Sequence, residues 1–155
     1  MTLQVKDIIT YKNETHSLYS EPLEGYLKTI RLPHPLVAPS STCWRGYKAQ
    51  WAIDNKKLFL IKWEGYILDF LKVDIKYLFP DQEIVFADWF SGSIHVALGD
   101  VACMIHNGHV PVFEGRMILQ FEKGILMSEQ TEWLTKEEIA KMIKAEDDLL
   151  SFDNL

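Results

Sequence analysis

With 155 residues, 48% of them hydrophobic and 12% aromatic, the chain matches one ordinary domain with enough apolar surface for a single core. Two cysteines, Cys43 and Cys103, with no CxxC or Cys/His spacing, argue against a disulfide scaffold, and no apolar run approaches the roughly 20 residues that cross a bilayer. The net charge of −6 and scattered basic residues, with only Lys56-Lys57 adjacent, argue against direct nucleic-acid binding.

In chain order, Leu3, Val5 and Asp7-Ile8-Ile9 predict an amino-terminal strand, and Lys12-Asn13-Glu14 a turn. The start of the chain lacks a basic segment followed by a long apolar one, so no signal peptide is read there and a cytoplasmic protein is expected. Prolines 22, 33, 35 and 39 remove backbone donors, and residues 21–41 are therefore expected as a proline-rich loop or covering arm. Tyr47 to Ile53, the turn Asp54-Asn55-Lys56 and Leu58 to Ile61 predict a hairpin. A further strand is read from Tyr66 to Val73. Asp74 should cap a single helical turn, Ile75 to Phe79, that Pro80 stops.

From Ile84 to Gly124 turn signals recur at Ser91-Gly92, Leu98-Gly99-Asp100, Asn107-Gly108 and Lys123-Gly124. They separate expected strands at Ile84–Phe90, Ser93–Leu98, Val101–His106 and Val112–Phe121, and another is read from Ile125 to Gln130. Ile94, Val96 and Leu98 share one face, and Phe113, Met117, Leu119 and Phe121 alternate with Gly115 between them, which predicts a sheet with one buried face. Thr135 and Glu138 have capping-box spacing, and Ile139, Met142 and Ile143 follow at helical spacing, with Ala140 and Leu149-Leu150 extending the stripe. The expected fold is a single α+β domain over residues 1–155. It has an antiparallel β-sheet meander, strongly curved or bent into a half-barrel, with a C-terminal amphipathic helix packed on it.

Charge is unevenly placed. Residues 129–155 hold eight acids against three lysines, a net −5, while the remaining 128 residues have 14 acids and 13 bases, a net −1. Residues 146–155 read as an acidic, frayed tail. Such an end repels nucleic acid and steers basic partners.

Four groups of residues carry conceivable chemistry, and each has a plainer reading. His95, His106 and His109 with Asp88 or Glu114 offer zinc-type donors, but His106 and His109 flank an Asn-Gly turn, and no metal site or cofactor is expected. Cys103 lies in the apolar run Val101 to Ile105, which favours an inert thiol over a nucleophile. Asp88, beside Trp89-Phe90-Ser91-Gly92, is better suited to satisfying turn amides than to serving as a base. Of the five tryptophans, Trp44, Trp51 and Trp89 are expected in the core, and Trp63 and Trp133 as surface anchors.

Ala87-Asp88-Trp89-Phe90-Ser91-Gly92, with Phe113-Glu114, Leu119, Phe121, Gly124 and the Tyr47 to Leu60 hairpin, resembles a family of small bacterial proteins with no assigned activity. The resemblance spans Tyr47 to Gly124, about half the chain, and implies a bacterial origin and a shared scaffold. In size, acidity and lack of a catalytic signature the chain is also similar to immunity proteins of bacterial toxin systems. That likeness implies a protein partner, a basic toxin domain, neutralised by covering its active surface; no membrane or nucleic acid is involved. The contact residues expected are Trp133, Glu137, Glu138, Asp147 and Asp148. The alternative is a small-molecule-binding protein or small hydrolase whose pocket is lined by Asp88, His95, His106 and Glu114.

Overall fold

The computed structural model describes residues 4–106, 108 and 110–153, so His109 lies outside the described residues. Nine strands and two helices follow in the order β1 (Ile8–Tyr11), β2 (Glu14–Ser17), α1 (Glu24–Leu27), β3 (Tyr47–Asp54), β4 (Lys57–Ile67), β5 (Leu71–Asp74), β6 (Val85–Phe86), β7 (Gly92–Ile105), β8 (Val110–Glu122), β9 (Ile125–Trp133) and α2 (Lys136–Asp153). The strands form one sheet in the order β2-β1-β3-β4-β9-β8-β7, with β5 and β6 also paired to β4. Every pairing is antiparallel except β1 with β3, so the sheet is mixed.

Strand β4 organises the sheet. One edge pairs with β3, and the other is shared by β9 at Lys57, β6 at Phe59 and Leu60, and β5 from Glu64 to Ile67. The expected hairpin at Tyr47 to Ile61 is present, turned by Asn55 and Lys56, both at positive φ as a two-residue hairpin turn requires. The sheet is not closed. At its seam a single bridge, Leu18 to Val96, joins the segment after β2 to β7, reinforced by the Tyr19 N–H donating to the His95 carbonyl.

Several expectations fail for identifiable reasons. Leu98-Gly99-Asp100 is not a turn: β7 runs unbroken from Gly92 to Ile105, and the register against β8 shifts between Leu98 and Val101. Gly99, at φ +73°, supplies the left-handed residue of a bulge, which glycine serves as readily as a turn. The strand expected from Ile84 to Phe90 shrinks to Val85–Phe86, because the chain turns at Asp88 and Trp89. Tyr66 to Val73 is a second hairpin, reversing at Asp69 and Phe70, both at positive φ. Glu14 opens β2 instead of belonging to the preceding turn, which Lys12 and Asn13 make alone. Residues 21–41 contain α1 and place Leu23 in the core. The short helical turn Ile75–Tyr77 forms as expected, with the Asp74 carboxylate accepting from the Lys76 N–H.

The core lies on one face of the curved sheet, around Ile9, Tyr47, Trp51, Leu58, Leu60, Trp63, Ile94, Leu119 and Phe121. Trp63 is therefore core and not surface: a bulge at Ile61 shifts the alternation of β4, so that Leu58 and Leu60 before it and Trp63 and Ile67 after it all face inward. Trp44, expected inside, is exposed in the loop before β3. One charged residue among those described is buried in this core. Asp7 accepts hydrogen bonds from Arg45 Nη2, the Ala49 N–H at 3.2 Å and Trp51 Nε1 at 3.0 Å, and Arg45 also pairs with Glu21 at 3.1 Å.

Helix α2 packs against β7 through its first turns, with Ile139 and Met142 half-buried, while Ile143 and Leu149 remain exposed. Its start carries the Thr135 cap read from sequence, with the Glu138 carboxylate meeting the Thr135 hydroxyl where a full capping box would use the Thr135 N–H. The Glu138 N–H donates to Thr135 Oγ1 at 3.1 Å, and the Thr135 hydroxyl donates to Glu138 Oε1 at 3.1 Å. Thr135→Ala is expected to cost about 1 kcal/mol. Faster amide hydrogen exchange confined to the first turn of α2 would show it, and unchanged protection there would refute the cap.

Candidate functional site

A cleft of about 490 Å³ lies where the sheet fails to close. Tyr19 lies on one side, β7 and β8 form the floor, and the end of β9 and the first turns of α2 form the other side. The lining includes Tyr19, His95, Phe113, Arg116, Trp133 and Glu138.

Trp133 is placed here by register. It ends β9 directly opposite Gly115 of β8, and glycine at that position leaves a flat backbone for the indole to rest on. A Cβ on Gly115 would come within 2.5 Å of Trp133 Cε3, and one on Gly99 within 3.3 Å of Cζ3. Two residues without side chains thus support one side of the ring, yet Trp133 keeps 59% of its surface exposed. A large, rigid aromatic held open to solvent on a fixed seat is the typical build of an interface anchor.

The Thr135 cap holds the Glu138 carboxylate at the rim, so a local sequence motif positions a charged group of the site. Across the floor Arg116 is engaged by Glu132, with Nε and Nη2 each 2.7 Å from Oε2. Tyr19 meets Phe113 edge-on at a centroid separation of 6.2 Å, and Lys6 Nζ lies 4.4 Å from the centre of the Tyr19 ring. Burial raises the Tyr19 hydroxyl above its ordinary pKa.

Of the residues expected at a protein interface, Trp133 and Glu138 meet in this cleft. Glu137 is exposed beside them, and Asp147 and Asp148 are exposed farther along α2, about 15 Å away at the helical rise. Glu137, Lys141, Lys144 and Asp148 recur at helical spacing, so lysines share their face and the acids concentrate toward the two ends. Of the alternative pocket only His95 lines the cleft. Asp88 is exposed in the turn after β6, and His106 lies past the end of β7. Glu114 is occupied in stapling the bulge, accepting from the Asp100 N–H at 2.7 Å. Among the described residues no three His, Cys, Asp or Glu side chains are grouped to hold a metal. Cys43 and Cys103 are both free, Cys43 buried and Cys103 half-buried.

Sequence reasoning missed Tyr19, Phe113, Arg116, Glu132 and Met142. The signal available was the alternation Phe113, Gly115, Met117, which places Phe113 on the same face as the glycine seat.

These features define an α+β domain with an open, mixed sheet and an aromatic cleft at its seam. No helix among the described residues is long and apolar enough to cross a membrane. No protein-family model, curated protein or solved structure matches the chain.

Proposed function

We propose that this chain is a protein-binding module that docks a basic partner at the cleft and along the adjoining start of α2, in the manner of an immunity-type inhibitor covering a toxin's active surface. The observation that carries this reading is Trp133, exposed yet seated on Gly115 and Gly99 in a cleft that Glu138 also lines, with Glu137 exposed next to Glu138 at the start of α2. A preorganised aromatic anchor rimmed by charge fits a docking surface, and the acidic excess of residues 129–155 favours association with a basic protein. The similarity to immunity proteins in size and acidity agrees with this.

The test is purification of the endogenous complex with tagged wild type and with a Trp133→Ala/Glu138→Lys double variant, both checked for folding. One basic protein recovered stoichiometrically by the wild type and lost by the variant is expected, with affinity falling by about a hundredfold. Equal recovery by both would move the docking surface elsewhere.

A second reading follows from size. A cleft of about 490 Å³ lies within the range of small-molecule sites, so a metabolite could occupy it. A ligand specific to it would raise the melting temperature of the wild type but not of Trp133→Ala.

A further inference from the structure

The chemistry of the cleft narrows what it takes up. Three aromatic side chains line it, Tyr19, Phe113 and Trp133, and aromatic faces carry negative electrostatic potential. Tyr19 already uses its ring in this way, holding the Lys6 ammonium 4.4 Å from its centre. The charged lining groups are Arg116, Glu132 and Glu138. Arg116 is committed to Glu132, and Glu138 meets the Thr135 hydroxyl but no cation among the described residues. One negative charge is left uncompensated at the rim, beside an exposed indole. Val112 and Met142 add aliphatic surface to the lining. An anion would meet repulsion from Glu138 and from the ring faces. A purely apolar group would leave Glu138 without a partner.

We propose that the cleft receives a cationic side chain of the partner, an arginine or lysine, with its aliphatic stem against Val112 and Met142 and its charged head between the Trp133 face and the Glu138 carboxylate. This rests on the docking reading and adds the chemical identity of the group that enters. Arginine suits the site best, because its planar head can stack on an indole while donating to a carboxylate.

The experiment is a heteronuclear NMR titration of the full chain, following the indole N–H signals of its five tryptophans. Trp133→Phe assigns the Trp133 signal, and the four remaining signals report that the fold is kept. The probes are acetyl-arginine amide, acetyl-lysine amide, acetyl-norleucine amide and tetramethylammonium. The arginine and lysine amides are expected to shift the Trp133 signal saturably in the millimolar range, about tenfold more tightly than norleucine. Glu138→Gln should remove most of that preference while leaving norleucine binding unchanged.

Norleucine binding as tightly as arginine would overturn the cationic proposal yet leave the docking reading standing. No saturable shift with any probe would overturn it too, as would binding of tetramethylammonium alone, which would mark a site for a free ammonium compound. Conversely, a complex that survives the double variant would remove the docking reading without touching the peptide result, so the two fail separately.

Discussion

Asp7→Ala is expected to lower folding stability by about 3–5 kcal/mol, the cost of breaking a buried ion pair by deleting one partner. The carboxylate is buried and gathers three donors from two places in the sequence, Arg45 and the Ala49 and Trp51 positions of β3. Without it, the Arg45 guanidinium keeps the half-exposed Glu21 and, through Nε, the Tyr47 carbonyl at 2.8 Å, while the Trp51 and Ala49 N–H groups lose their acceptor. Urea unfolding at pH 7 measures this, and a loss below about 1 kcal/mol would show that the network contributes little.

The same residue sets a pH dependence. Burial pushes the Asp7 carboxyl up from 3.8 to about 6, against the opposing pull of Arg45, Trp51 and the Ala49 N–H. Between those values the folded chain binds more protons than the unfolded one. The contribution is therefore fully present below pH 3.8 and is lost as the pH rises through 6, by at most about 3 kcal/mol. Relative to Asp7→Asn, the wild type should accordingly lose stability between pH 4 and pH 7. A difference that grew over that interval would mean that pairing with Arg45 outweighs burial.

Gly65→Ala is the second large effect expected. A Cβ there overlaps Trp63 Cη2 and comes within 2.7 Å of Cζ2, and the indole has nowhere to go. Its ring lies nearly parallel to Tyr77, at 5° and 6.4 Å, and is tilted over Tyr47 at 6.0 Å. The Trp63 N–H has no protein partner, so ring packing alone holds it in place. One added methyl must displace three large rings together, at a cost of about 3 kcal/mol. Gly25→Ala is the control, because nothing lies within 4 Å of a Cβ at that position in α1. If both alanine variants melted with the wild type, the packing around Trp63 would be looser than these distances require.

The parts legible from sequence were those written locally. Asp54 to Lys56 announced the β3–β4 turn, Asp74 the short helical turn, and Thr135 with Glu138 the start of α2. What escaped depends on pairing over long separations. No local pattern shows that Ile8 to Thr10 align in parallel with Gln50 to Ala52, or that Leu18 meets Val96. Trp133 was legible as an exposed aromatic because it sits at a strand–helix junction, whereas Trp63 was misplaced because a neighbouring Glu-Gly pair suggests a surface turn. The pocket of Asp88, His95, His106 and Glu114 failed through reading Gly99 as a reversal. A turn there would have folded His106 back toward His95. With β7 continuous, eleven residues separate them along one strand direction, on the order of 30 Å.

The parallel pairing of β1 with β3 also bears on the order in which the molecule assembles. Its three register pairs close a loop running from the end of β1 through α1 and the proline-rich arm to β3, so much chain entropy is spent for few backbone hydrogen bonds. The β3–β4, β7–β8 and β8–β9 ladders join strands that are neighbours in the chain and can form first. The amino-terminal hairpin then docks late, on the native side of the folding barrier. Asp7, which ties that hairpin to β3, consequently governs how long the folded molecule lasts more than how quickly it is made.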